Sequence, residues 1–365
     1  MTPARRSPAS RRKPPAPRRS APERFDRGGM GTRIEGLARQ LRAGAVLADP
    51  LLEALAPNPP RRLVLFGMGG SAIAGELLAS LIDREGTTSM QVVRHYEAPG
   101  WLTAEDLVIF SSYSGETEET LAAYRSLRAL GASRAVLTTG GTLASLAGED
   151  GVPIALLPPG HPPRAALGYS FSALAHLAEH VGVLAGGGRR VLAAAADVER
   201  VASACARDVL VSRNPANALA IRLSGHAALL MANSRTLLPA AVRWKGQFNE
   251  NAKHVAWVSG LPEANHNEVD GFVHPRPVMG RLAAVFLRDP DDNPRIVRRF
   301  DWLGRYLRRK GIRVETVTTE GVDRMGRLLS CVALGDFVSY YLALRHATDP
   351  TALPGVESLK RTLGR

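Results

Sequence analysis

Leu107-Val108-Ile109-Phe110-Ser111-Ser112-Tyr113-Ser114-Gly115-Glu116-Thr117 is the stretch whose reading decides the fold. Its four apolar residues predict a short buried strand over 107–110, and a helical run over 118–130 follows at once. Between them four hydroxyl side chains, Ser111, Ser112, Ser114 and Thr117, gather near the first amides of that helix. Parallel sheets bind ligands at the carboxyl ends of their strands, and free helix N-terminal amides favour an anion. A phosphate monoester is the guest this chemistry suits. Ser/Thr capping, with Glu118 or Glu119 in the first turn, is the competing reading, and it accounts for one or two of the hydroxyls rather than four.

The strand-then-helix rhythm extends both ways. Upstream, a strand over 63–66 enters the turn Gly67-Met68-Gly69-Gly70-Ser71 and a small-residue helix over 72–81. That turn matches neither G-x-G-x-x-G nor the P-loop pattern, so no nucleotide is implied. Further strands are expected at 92–94, 135–138 and 154–157, completing one α/β layer sandwich. A Pro/Gly-rich loop at 158–163 then leads to two Ala/Leu/Val-rich helices, 170–184 and 189–209, read as a connection between domains. The pattern restarts with strands at 227–231, 256–259, 282–287 and 314–317 and helices at 237–251 and 294–309. A last long helix from about 324 to 347 is stopped by Asp349-Pro350, because the residue before proline avoids the α region. A short helix through Lys360 closes the chain. The expected architecture is a pseudo-duplicated α/β protein with mostly parallel sheets: a basic tail over 1–29, an N-terminal domain over 30–165, a helical connection over 166–210, and a C-terminal domain over 211–365.

Composition agrees with two domains, since 365 residues exceed the roughly 150 of an ordinary one. Apolar residues make up 45%, and no apolar run reaches the ~18–20 residues of a membrane span, so a membrane protein is excluded. Two cysteines, Cys205 and Cys331, are too few for a disulfide scaffold, and the N-terminus lacks a signal-peptide pattern; the expected compartment is the cytoplasm. The net charge of +13 is lopsided. Residues 1–29 hold nine basic side chains against Glu23 and Asp26, which leaves +6 for the other 336. This Pro/Ala/Ser-rich segment has almost nothing to bury and is expected to be disordered: a solvated tail, or residues ahead of a true start at Met30. Nucleic acid is not expected as a partner.

The 67–71 turn and the 111–120 block, together with Phe248-Asn249-Glu250-Asn251 and Asn265-His266-Asn267-Glu268, resemble the sugar isomerase (SIS) domain superfamily. Within it the chain is similar, over about residues 35–365, to the bifunctional phosphoglucose/phosphomannose isomerases of archaea and bacteria. The resemblance implies two SIS-type three-layer α/β/α sandwiches. It also implies an aldose–ketose isomerase that interconverts glucose 6-phosphate, and mannose 6-phosphate, with fructose 6-phosphate through a cis-enediol. In that scheme Glu250 shuttles the proton, His266 assists ring opening, Arg164 holds the enediolate charge, and Lys360 contacts the sugar near its ring oxygen. Ser112, Ser114 and Thr117 would hold the phosphate, with Gly69, Gly70 and Ser71 near the sugar and Thr351 lining the pocket. The resemblance further implies a homodimer whose active-site histidine comes from the partner subunit.

Read without it, Glu250 is a plausible base at the end of an apolar helix or an exposed helix-end carboxylate, and Lys360 a surface lysine. The second functional class is a SIS-type sugar-phosphate regulator without turnover, whose customary helix-turn-helix domain a 29-residue proline-rich segment cannot supply. No cofactor or metal is expected, since His266-Asn267-Glu268 lacks the P-C-x-x-C of zinc deaminases and no H-E-x-x-H is present.

Overall fold

Continuous apolar runs such as Leu63–Phe66 and Leu107–Phe110 are what strands buried on both faces require, and each becomes a central strand of a parallel sheet. The computed structural model describes residues 23–364. In chain order its strands are β1 (Arg62–Gly67), β2 (Ser89–Val93), β3 (Leu107–Ser111), β4 (Ser133–Thr138), β5 (Ile154–Leu156), β6 (Ala227–Asn233), β7 (Ala256–Leu261), β8 (Leu282–Arg288) and β9 (Arg313–Thr318). They form two parallel sheets, ordered β2-β1-β3-β4-β5 and β7-β6-β8-β9. The second order repeats the first four strands of the first, which is the expected duplication with β5 added.

The helices are α1 (Met30–Glu35), α2 (Leu37–Ala54), α3 (Gly69–Glu85), α4 (Glu118–Ser126), α5 (Gly141–Glu149), α6 (Leu167–His180), α7 (Gly187–Cys205), α8 (Pro215–Leu223), α9 (Leu238–Ala252), α10 (Ala264–Asn267), α11 (Arg276–Met279), α12 (Pro294–Arg309), α13 (Arg324–Arg345) and α14 (Pro354–Thr362). Alternate residues of each central strand serve different layers. Val64, Phe66, Val108 and Phe110 pack outward with Leu121 and Tyr124 of α4, while Leu63, Leu65, Leu107 and Ile109 join a core shared with α2, α3 and α6. Likewise Leu229, Met231 and Phe286 meet Phe300, Leu303 and Leu307 of α12, whereas Leu230 and Val285 join the shared core with α9 and α13. One apolar core therefore runs between the two sheets.

The structure moves several expectations. The helices α6 and α7, expected as a connection between domains, follow the first sheet in the chain and precede the second, and both are buried in the shared core. α4 ends at Ser126 rather than 130, and α13 ends at Arg345, ahead of the Asp349-Pro350 stop. α13 is long and apolar enough by length and composition to cross a membrane, which the sequence reading denied of any stretch; 89% of that window is buried inside the fold. Most of the basic segment lies outside the described residues, but 23–29 is folded. Asp26 is buried, and its carboxylate accepts hydrogen bonds from the first two amides of α1, Met30 N at 2.6 Å and Gly31 N at 3.0 Å. The ordered body therefore begins before Met30.

Candidate active site

The parallel register places Gly67 opposite Ser111, so the glycine turn and the serine block emerge side by side at the carboxyl edge of the first sheet. Neither α3 nor α4 has a side-chain cap: Met68 and Thr117 occupy the N-cap positions without capping hydrogen bonds. Thr117 thus does not cap α4, whereas Ser112 and Ser114 accept hydrogen bonds from amides of the loop that enters it, from Thr117 N at 3.4 Å and Glu116 N at 3.2 Å. Two adjacent helix N-termini without a capping side chain therefore meet at this edge, an arrangement that favours an anion.

Within the block the hydroxyls divide their work. Ser112 is fully buried; its Oγ lies 2.8 Å from Thr117 Oγ1 and accepts from Gly115 N at 3.1 Å, so it shapes the loop from inside. Ser111 is buried as well, and its hydroxyl has no partner. Ser114 is exposed and Thr117 half-buried, the two more open hydroxyls of the block. Gly115 has φ +73°, and a Cβ there would stand 1.9 Å from Gly140 O, so only glycine fits. Glu116 turns away to bind Thr142 N at 2.7 Å at the start of α5.

Tyr113, passed over in the sequence, staples this block to the next loop. Its N–H donates to Ser71 Oγ at 3.1 Å, its hydroxyl donates to Pro158 O at 2.7 Å, and that hydroxyl accepts from His161 N at 3.1 Å. Burial pushes the Tyr113 phenol above its ordinary range. Three residues beyond His161 comes Arg164. A Cβ on Gly70 would stand 2.8 Å from the Pro163 carbonyl carbon and 2.9 Å from Arg164 N, so the glycine turn lies directly against this loop.

Arg164 is the centre of the arrangement. It is only 4% exposed. Its Nε donates to Asn251 Oδ1 at 2.7 Å, and one terminal nitrogen donates to the carbonyls of Pro350 and Thr351 at 2.8 and 2.9 Å. The other terminal nitrogen stands 3.5 Å from Glu250 Oε2, and the Glu250 side chain remains 37% exposed. Burial draws the guanidinium below the usual arginine range, and Glu250 opposes that shift. A second buried pair supports the first. Arg243 binds both carboxylate oxygens of Asp336 at 3.0 and 2.9 Å and donates to Arg164 O at 2.6 Å, while Asn251 Nδ2 reaches Ser339 Oγ at 2.9 Å. Thus α9 supplies the carboxylate, α13 fixes α9, and the 158–165 loop carries the cation.

Not every expected residue joins this cluster. Thr351 contributes a backbone carbonyl to Arg164, whereas its side chain lies against Gly28 and its hydroxyl is buried without a partner. It therefore anchors the arginine instead of lining a pocket through its side chain. His266 is exposed on α10, which packs on β7. Lys360 is exposed on α14, a helix with no buried residue. The start of α14, with Glu250, Lys253 and His254, does border a cleft of about 430 Å³. Among the described residues no group of three or more His, Cys, Asp or Glu is arranged to hold a metal ion.

Both halves match known sequence families. Residues 58–173 match the SIS domain, and 212–363 match the bacterial phospho-glucose isomerase C-terminal SIS domain. A protein of Caldicellulosiruptor bescii named bifunctional phosphoglucose/phosphomannose isomerase is 35% identical over 302 residues, 83% of this chain and 89% of that protein. The chain belongs to the bifunctional phosphoglucose/phosphomannose isomerase family. A family member from Aquifex aeolicus is 30% identical over 308 residues, covering 84% and 91% of the two chains. A hypothetical protein from Thermus thermophilus, 16% identical, superposes with a TM-score of 0.74 over 94% of this chain and 93% of that one, a likeness of fold alone. The chain is accordingly an enzyme of the isomerase class, built on two SIS domains.

Proposed function

We propose that the protein interconverts glucose 6-phosphate and mannose 6-phosphate with fructose 6-phosphate by proton transfer through a cis-enediol. The observation that carries this reading is the juxtaposition of a half-exposed carboxylate, Glu250, with a buried, fully anchored guanidinium, Arg164. Aldose–ketose isomerisation needs a base to move a proton between C1 and C2 and a fixed positive charge beside the enediolate oxygens. Glu250 removes the C2 proton and returns it at C1, and Arg164 stabilises the charge that develops between. The substrate phosphate sits on the amides at the start of α4 with Ser114 and Thr117. Rotation about C2–C3 of the enediol admits the C2 epimer, which gives dual specificity. The working form is a cytoplasmic homodimer, in which the partner subunit's His266 opens the sugar ring and Lys360 reaches the ring oxygen.

Purified protein assayed on glucose 6-phosphate and on mannose 6-phosphate, with and without chelator, tests the reading. Turnover of both, unchanged by chelator, is expected. Folded protein that turns over neither substrate refutes it.

A further inference from the structure

Dividing the charge along the chain leaves the body only mildly basic, but that charge is concentrated. α12 carries six arginines against one acidic residue, Asp301, which pairs sideways with Arg288 at 3.3 Å. The 3-4-3-4 spacing of Arg295, Arg298, Trp302, Arg305 and Arg309 sets them in one stripe on the solvent face, all exposed. Over fourteen residues at the α-helical rise the stripe is about 21 Å long. Among the described residues Arg295, Arg298, Arg305 and Arg309 make no ion pair. Beside the stripe, Trp302 and Tyr306 stack at 5.0 Å between centroids and 15° between planes, with Arg309 and Lys310 lying 5.9 and 5.2 Å from the Tyr306 ring. Folding does not call for this face, since Phe300, Leu303 and Leu307 already fix the helix on the sheet and unpaired like charges along a helix repel.

We propose that the exposed face of α12 binds single-stranded nucleic acid, its arginines on successive phosphates and Trp302, held by its stack on Tyr306, stacking against a base. A row of cations interleaved with an exposed ring, Trp302, backed by the half-buried Tyr306, is the chemistry single strands recognise, whereas the bases of a duplex are already stacked on one another. A membrane surface fits less well, because an interfacial helix needs a free apolar face and that of α12 is buried. None of the residues in this stripe contacts Arg164 or Glu250; the helix touches α10 through Arg299, which donates to Asn265 Oδ1 at 3.4 Å and is left out of the variants below.

The test uses the full chain, a fluorescein-labelled oligouridylate of about twelve nucleotides and anisotropy across roughly 50–200 mM salt. Binding is expected to weaken steeply with salt. The double reversal Arg298→Glu/Arg305→Glu should lower affinity at least about tenfold and flatten the log–log salt slope by about 1.4, at ~0.7 per lost phosphate contact. Trp302→Ala should cost about fivefold or more with the slope unchanged, stacking being worth ~1–3 kcal/mol per base. Unaltered melting temperatures in both variants exclude misfolding. Wild-type affinity in the double reversal would assign the phosphates to the 1–22 segment and overturn the proposal. So would an indifferent Trp302→Ala, or binding to phosphatidylserine vesicles without binding to the oligonucleotide.

Discussion

Glu250 and Arg164 stand 3.5 Å apart in unequal surroundings, the arginine buried and saturated, the carboxylate open to a ligand. That inequality suits the roles proposed for them, a fixed cation and a mobile proton carrier. Glu250→Gln keeps the shape and removes the base, so turnover should fall by roughly 10²–10⁴ while substrate still binds. Retention of more than about a tenth of wild-type rate, a barrier increase under ~1.4 kcal/mol, would mean another group takes the proton. Glu250 was visible through the Phe248-Asn249-Glu250-Asn251 segment that carries the family resemblance, and Arg164 through the resemblance with only Pro-Pro-Arg around it. Arg243, Asp336 and Ser339, which hold them in place, were not legible. Ordinary helix positions 79 to 93 residues away carry no local pattern to announce a buried network. Ser112 shows what a polar block leaves unsaid: its hydroxyl is buried and bonded within the loop as well as being expected at the phosphate.

At the level of elements, strands with strong apolar runs were legible to within a residue or two, as were helices with a clear apolar stripe such as α12. α1, α2, α5 and α8 were missed, as were the four-residue α10 and α11. α8 did carry a signal, Asn214 capping Asn217 N at 2.9 Å ahead of Pro215 at the first helical position. α5 carried none, since its N-terminus is satisfied from a distance by Glu116. The Asp26 contact makes a sharp prediction at the start of α1. Removal of 1–22 should leave the melting temperature unchanged, whereas removal of 1–29, or Asp26→Ala, should cost about 1 kcal/mol in chemical denaturation. Equal stability of the two truncations would show that the cap contributes nothing. The far ends of α9 and α13 make another. There His254 Nδ1 and His346 Nε2 lie 3.1 Å apart, and burial first, then neighbouring positive or titratable groups, holds both imidazoles below their ordinary range. The unfolded chain takes up these protons near pH 6.5 and the folded chain only at lower pH, so the unfolded state binds more protons in that window. Stability should be level above about pH 7 and decline as pH falls below ~6.5. His346→Gln should shallow that decline in melting experiments, and an unchanged slope would place the titration elsewhere.

Across the whole molecule the site belongs to neither half alone. The loop proposed to bind phosphate rises from the first sheet, Glu250 rides on a helix packed against the second, and the shared core through α6, α7 and α13 fixes their spacing. His266 stands outside this arrangement, exposed on α10, and a second chain is what could bring it to a site. If the homodimer shares its sites in this way, His266 of one subunit completes the centre containing Glu250 of the other. Homodimers of Glu250→Gln and of His266→Ala should then each be nearly inactive, since every site lacks one group. Mixed under conditions that allow subunit exchange, each heterodimer has one site with both defects and one with neither. Random exchange makes half of all dimers mixed, and half of the sites in those are intact, so activity should recover to about a quarter of wild type. A mixture that stays as inactive as its parents, with exchange confirmed by mass-labelled subunits, would place His266 in its own chain's site and dismiss the shared centre.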